Sequence, residues 1–81
     1  MGFKASYDAE NDVLYILFSE EEVERSQALD DMRVVDYDSA GKPAGVEFIC
    51  ASEGLNLDDV PFGDKLESHL TRAGLHFPIF A

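Results

Sequence analysis

The sequence predicts an α+β domain in which an antiparallel sheet of about five strands carries one C-terminal helix. Residues 7–18 and residues 37–50 share one order of features: a strand end, a polar turn and an apolar strand. Each such segment is typical of a β-hairpin. Residues 62–73 differ, because their apolar side chains recur every three or four positions, as on one face of a helix. We therefore expect a β-meander with the helix packed on one face of the sheet.

Five strands are predicted before the helix. Residues 3–7 alternate apolar and polar side chains, whereas residues 13–18 are apolar on both faces, which places the second strand in the middle of the sheet. Residues 23–29 are more polar and are interpreted as an outer strand rather than a short helix, since Asp30 and Asp31 then form a tight turn. The fourth and fifth strands are residues 32–38 and 43–50.

The end of the chain is predicted to hold the helix and a short final edge strand. Gly74 is typical of a left-handed helix end. Residues 75–80 have the character of a strand, but Pro78 lacks a backbone donor and restricts that strand to an edge. The apolar stripe of the helix comprises Phe62, Leu66, Leu70 and Ala73.

The chain, residues 1–81, is expected to form a single domain with one hydrophobic core. One short helix covers only one face of the sheet, whereas residues 13–18 are apolar on both faces. We therefore expect a homodimer, in which a second subunit covers the remaining face. The predicted core residues are Leu14, Ile16, Val34, Val46, Phe48, Leu66 and Leu70.

The composition limits the class of partner. Hydrophobic residues make up 46% of the chain, as in an ordinary globular protein, and 17 acidic residues against six basic ones give a net charge of −11. Such a surface repels nucleic acid and anionic membranes and attracts basic proteins or cations. We expect no direct nucleic-acid or membrane binding. The single cysteine, Cys50, has apolar neighbours, which predicts a buried thiol in a reducing, cytoplasmic setting.

No segment has the spacing of a catalytic motif, and we predict no enzyme activity and no catalytic, cofactor-binding or metal-binding residue. The nearest pattern is D-x-D-x-x-G at Asp36, Asp38 and Gly41, which is the start of a calcium loop and is followed by Glu47. Ala40 occupies the fifth position, where that loop needs an oxygen ligand. An ordinary turn, capped by Asp38 with Gly41 at positive φ, is favoured. The alternative function is a divalent-cation-binding or hydrolytic protein that uses Asp36, Asp38 and Glu47.

Two blocks of sequence resemble a known family. They read Y-D-x-x-x-D-V-L-Y-I from Tyr7 and V-V-D-Y-D-x-x-G-K-x-x-G-V-E-F-I from Val34. This pattern, over about residues 7–51, resembles the small prokaryotic proteins of domain-of-unknown-function family 2283. The resemblance implies a sheet-and-helix domain with no assigned reaction. Some members look like partners of small toxin genes, which implies an antitoxin-like binding role.

The expected function is therefore non-enzymatic protein binding, with a basic protein such as a small toxin as the partner. An acidic protein can block such a toxin by occupying a basic cleft, for example that of a ribonuclease. A purely structural module, whose only contact is its own dimer, is a further alternative.

Overall fold

In the computed structural model, which describes residues 3–80, a helix and a small two-stranded sheet pack on one side of a five-stranded antiparallel sheet. The strands of the main sheet are β1 (Lys4–Asp8), β2 (Val13–Leu17), β3 (Val23–Asp30), β4 (Arg33–Asp38) and β5 (Pro43–Ile49). After a 3-10 turn (Ala51–Glu53) come β6 (Leu55–Asn56), α1 (Gly63–Arg72) and β7 (Ile79–Phe80). The predicted α+β class is confirmed, as is the interpretation of residues 23–29 as a strand.

The order of strands in the main sheet is β1-β2-β5-β4-β3. The expected meander order is corrected at one connection, because β3 does not pair with β2. Instead β5 lies between β2 and β4, with Ile16 opposite Val46 on one side and Val35 opposite Val46 on the other. The physical reason is burial. Strand β5 has a fully buried face and suits the centre, whereas β3 is exposed almost throughout and suits an edge.

The last strand also differs from the expectation in its pairing. Strand β7 is short and pairs in parallel with β6, so that Leu55 lies opposite Ile79 in a separate two-stranded sheet. Helix α1 lies within the predicted range, and Gly74 follows it at φ 76°, as its position after the helix predicts. The helix and the small sheet cover the same side of the main sheet, because Leu66 of α1 and Leu55 of β6 belong to one core cluster with Ile16.

The core lies between the main sheet and α1. Leu14, Ile16, Val46 and Leu66 are fully buried, as predicted. The prediction for Val34 is wrong, since Val35 is fully buried and Val34 is only half-buried. Adjacent strand residues point to opposite faces. The register that sets Val35 beside Val46 therefore turns Val34 away from the helix.

A buried arginine fastens the segment before α1 to the main sheet. Arg33 is 8% exposed and donates to Asp30 Oδ2 from Nε and Nη2, at 3.0 and 2.9 Å. Its Nη1 donates to the backbone carbonyls of Asn56 and Asp58. These bonds satisfy the buried guanidinium and position β6 and the residues after it.

A second polar contact joins the β1–β2 turn to the 3-10 turn. Asp12, at φ 57°, accepts a hydrogen bond from the Tyr7 hydroxyl at 2.7 Å. It also accepts bonds from the Ser52 amide at 2.9 Å and the Ser52 hydroxyl at 2.6 Å. The Ser52 hydroxyl, followed by the Tyr7 hydroxyl, lowers the pKa of the Asp12 carboxyl.

Candidate functional site

Within residues 3–80, the face of the main sheet opposite α1 carries no covering element, and we call it the open face. Its central positions lie on β2, β5 and β4, where the side chains are half-buried. They are Val13, Tyr15, Leu17, Val34, Asp36, Glu47 and Ile49. Four of the seven are aliphatic and two are carboxylates, so this face combines apolar surface with negative charge.

A hydrogen-bonded network of side chains from three strands crosses the open face. Tyr15 on β2 donates its hydroxyl to Asp36 Oδ2 on β4 at 2.8 Å. Ser26 on β3 donates to the other oxygen, Asp36 Oδ1, at 2.5 Å. Burial, and then the bond to the Asp36 carboxylate, raise the pKa of Tyr15 to about 12. The phenol therefore stays protonated at neutral pH and holds the carboxylate in place.

The path of Tyr15 to Asp36 passes over Gly45 on the intervening strand β5. A Cβ atom at position 45 would contact the Tyr15 hydroxyl and would lie 2.7 Å from Tyr15 Cζ and 3.0 Å from the carbonyl oxygen of Ile16. Glycine in a strand interior often marks such a close approach. Gly45 is thus the residue that permits the network.

Glu47 occupies the central position of the open face. It lies on β5, opposite Tyr15 on one neighbouring strand and Val34 on the other. Within residues 3–80, no hydrogen bond or salt bridge involves its side chain. A half-buried carboxylate without a partner, among aliphatic side chains, is suited to pairing with a cation from outside the chain.

The three carboxylates of the cation-binding alternative have separate environments. Asp36 is held by Tyr15 and Ser26, and Asp38 Oδ1 accepts the amides of Ala40 and Lys42 at 2.9 and 3.0 Å. In the range 3–80, no group of three or more His, Cys, Asp or Glu side chains is arranged to hold a metal ion. The predicted turn is confirmed, with Asp38 as its cap and Gly41 at φ 80°.

The thiol predicted to be buried has a different setting. Cys50 is half-buried and follows the end of β5, with φ 56°, and it forms no disulfide. The apolar context of residues 46–51 predicts a strand through position 50, but the chain turns there into the 3-10 turn. No helix in the part of the chain that the structure describes is long and apolar enough to span a membrane.

Comparison with known families gives a match, and it covers the part of the chain that forms the main sheet. A family model described as "Protein of unknown function (DUF2283)" matches residues 4–52, which include every strand of the main sheet and all seven central positions of the open face. The chain belongs to the DUF2283 family. The helix α1 of this DUF2283 protein lies beyond the matched residues. Neither a curated protein nor a solved structure matches the chain.

Sequence reasoning did not find Tyr15, Ser26 or Gly45 as parts of one site. Tyr15 and Asp36 are 21 positions apart and come from strands that are not neighbours. The one local signal is Gly45 itself, a glycine in the interior of strand β5.

Proposed function

We propose that this DUF2283 protein is a non-enzymatic binding module of the cytoplasm, that its partner is a basic protein, and that the partner docks on the open face. The observation that carries the proposal is the position of Glu47, unpaired within residues 3–80 and surrounded by half-buried aliphatic side chains. Protein interfaces combine such apolar surface with a few charged groups that pair with the partner.

Burial of the apolar part of the open face favours association with a partner. Val13, Leu17, Val34 and Ile49 remain half-exposed, and covering them removes apolar surface from water. These aliphatic side chains lie around the central pair of Tyr15 and Glu47, so apolar and polar positions alternate on this face as they do in protein interfaces. The hydrogen-bonded network beside it keeps the face rigid, which lowers the entropy lost on binding.

The negative charge of the chain favours a basic partner. A net charge of −11 attracts a basic protein over long distance, and Glu47 then meets an Arg or Lys of that protein at the centre of the contact. An antitoxin-like role follows from this chemistry, because a protein that covers a basic cleft prevents a nucleic acid from entering it.

The same carboxylate disfavours a second copy of the chain on the open face. A two-fold axis through the centre of that face would bring two Glu47 side chains together, and like charges in a contact destabilise it. The homodimer stays a prediction.

Binding rather than hydrolysis is supported by how the polar groups are used. Asp36 already accepts two hydrogen bonds, and Asp38 accepts two backbone amides. A general base must have a free site within reach of the proton that it abstracts. These two carboxylates serve structural roles, and Glu47 is the residue assigned to contact with the partner. We therefore propose no catalytic residue.

The test compares three baits in lysate from the native cell: the unmodified protein, Glu47→Arg and the control Glu53→Arg. Both variants make the same change of charge, but Glu53 is exposed in the 3-10 turn, outside the open face. We expect a basic protein to bind the unmodified bait and the control, and to bind Glu47→Arg about tenfold or more weakly when the purified pair is titrated.

Three results would contradict the proposal: capture of no basic protein, equal affinity of that protein for Glu47→Arg, or equal weakening by Glu53→Arg. The last result would mean that total charge, and not the open face, determines binding. Circular dichroism of each variant confirms that a lost interaction is not a lost fold.

A further inference from the structure

Strand β1 (Lys4–Asp8) forms one edge of the main sheet. Within residues 3–80 it pairs with β2 alone, and all five of its pairs follow one register. The other edge strand, β3, has two register shifts along its pairing with β4. Such irregularities bend an edge strand and hinder its pairing with another chain. Strand β1 is therefore the edge that better suits a further strand.

The backbone groups of β1 that point outward belong to Ala5 and Tyr7. In an antiparallel sheet, successive residues direct their N–H and C=O groups alternately to the two sides of the strand. Phe18 donates its amide to the carbonyl of Ala44 on β5, so the residue before it points toward β1, where its partner is Lys4. Lys4 and every second residue after it therefore bond to β2. The two residues between them direct their backbone groups away from the sheet.

The side chains of β1 are complementary to a second, antiparallel copy of the same strand. The strand reads K-A-S-Y-D, with opposite charges at its two ends. When Ser6 lies opposite Ser6 of the second copy, each Lys4 lies opposite an Asp8. The same register sets Ala5 opposite Tyr7, and these two residues then exchange both of their N–H···O=C bonds, as in an ordinary ladder. A shift of the register leaves residues of β1 without a partner in the other copy.

The helix side of β1 carries apolar surface that a second copy would cover. Phe3, Ala5 and Tyr7 pack against the core but are only partly buried. The Tyr7 ring lies against that of Phe77, with ring centres 5.0 Å apart. Since Ala5 of one copy lies beside Tyr7 of the other, pairing removes apolar surface from water at both contacts.

Charge determines the register of this contact and does not drive it. The charged side chains near the edge are Lys4, Asp8, Glu10, Asp12 and Glu20, so their sum is negative. Lys4 lies 3.8 Å from Glu20, but the two side chains are 75% and 86% exposed, and such a surface pair contributes little. Antiparallel pairing keeps the two acidic turns apart, because one Asp8 lies about 14 Å along the strand from the other. That distance exceeds the screening length of about 8 Å at physiological ionic strength.

We propose that β1 pairs with β1 of a second copy of the chain, antiparallel and with Ser6 on the two-fold axis, so that two five-stranded sheets become one continuous sheet. The axis is perpendicular to the sheet, so both helices lie on one side and both open faces on the other. The two Glu47 residues are five strand spacings apart, about 24 Å across the sheet. The open faces stay free, so the dimer does not depend on the proposed basic partner.

The test is disulfide trapping in a chain whose own thiol is removed by Cys50→Ala. Ser6 and its counterpart form a non-hydrogen-bonded pair, with Cα atoms about 4.5 Å apart, a distance that a disulfide spans. Ser6→Cys is therefore expected to form a covalent dimer under mild oxidation. Lys4→Cys and Asp8→Cys each lie about 14 Å from their own counterparts and are expected to stay monomeric alone. An equimolar mixture of these two variants is expected to cross-link.

Two controls accompany the trapping. Gln27→Cys places an exposed thiol on β3, the other edge strand, and is expected not to cross-link. The unmodified chain is measured by light scattering and sedimentation. A contact through one short strand is small, so we expect micromolar affinity and a dimer at about 100 μM. Thermal melts confirm that each variant folds.

A charge exchange tests the register without cysteine. Asp8→Lys sets lysine opposite lysine and is expected to weaken the dimer about tenfold. Addition of Lys4→Asp restores opposite charges, returns the net charge to −11 and is expected to restore the affinity. Both variants lack the bonds from Asn11 to Asp8, so loss of that turn contact does not explain a difference between them. Long-range repulsion alone predicts the reverse order, because Asp8→Lys is the less negative chain.

The proposal is overturned by an unmodified chain that is monomeric at about 100 μM. Cross-linking of Ser6→Cys no faster than that of Gln27→Cys would also overturn it, as would a charge exchange that restores no affinity. Faster cross-linking of Gln27→Cys would place the contact on β3 instead. None of these measurements uses a basic partner, so the dimer and the proposed function fail independently.

Discussion

Replacement of Gly45 by alanine tests the hydrogen-bonded network of the open face. The added methyl group would lie 2.7 Å from Tyr15 Cζ, which is closer than such atoms approach in proteins. Tyr15 must then move, and its bond to Asp36, now 2.8 Å long, is lost. We expect Gly45→Ala to destabilise the protein although alanine is ordinarily the better residue within a strand.

The magnitude follows from two opposing contributions. A hydrogen bond to a charged group contributes about 1.5–3 kcal/mol, and less where water reaches it, as on this half-exposed face. Alanine in place of glycine restores about 0.5–1 kcal/mol, because the unfolded chain loses conformational freedom. The net expectation is a loss of about 1 kcal/mol, or a urea midpoint lower by about 1 M for a small domain.

The assay is a double-mutant cycle in urea, followed by circular dichroism, with Tyr15→Leu as the second substitution. In the Tyr15→Leu background the ring is absent, and Gly45→Ala is expected to be neutral or stabilising. A second readout is the pKa of Tyr15, which should fall from about 12 toward its ordinary value in Gly45→Ala. An equal effect of Gly45→Ala in both backgrounds would refute the contact, as would stabilisation of the unmodified protein.

Three further predictions concern the fold. Val35→Ala should cost about 2–3 kcal/mol in urea unfolding and Val34→Ala less than about 1, because only Val35 is fully buried; equal costs would contradict the register of β4. The lowered pKa of Asp12 stabilises the fold above the ordinary value of 3.8, and this stabilisation should disappear as the pH falls through the folded-state pKa. Ser52→Ala should raise that pKa in a carboxyl NMR titration, and an unchanged value would refute the contact. Arg33→Lys should cost about 1–3 kcal/mol, since an ammonium cannot reproduce the fork of the guanidinium; full stability in urea would show that the buried bonds contribute nothing.

The elements of the fold are predictable because they depend on local patterns. Alternation in β1, the continuous apolar run of β2 and the helical stripe of α1 each lie within one segment. The strand order is not local, because it depends on which buried faces match across the sheet. Val34 and Val35 show most clearly what local patterns do not determine. Both are strong β-formers, and only the pairing of Val35 with Val46 decides which one is buried.

The sites were less predictable than the fold, because each combines residues that are distant in sequence. Asp36 is a plausible ligand in a sequence pattern, yet its side chain is occupied by Tyr15 and Ser26 from two other strands. Asp12 and Ser52 are 40 positions apart, yet the Asp12 carboxylate accepts both the amide and the hydroxyl of Ser52. Such clusters depend on the tertiary arrangement and leave no local spacing to recognise.

Net charge alone describes this protein poorly, because the contacts of a charged group decide what it can bind. Asp36 and Glu47 both lie on the open face. Asp36 already accepts hydrogen bonds from Tyr15 and Ser26, whereas Glu47 is unpaired within residues 3–80. Of the two carboxylates, Glu47 is therefore the one that can pair with a cation of a partner.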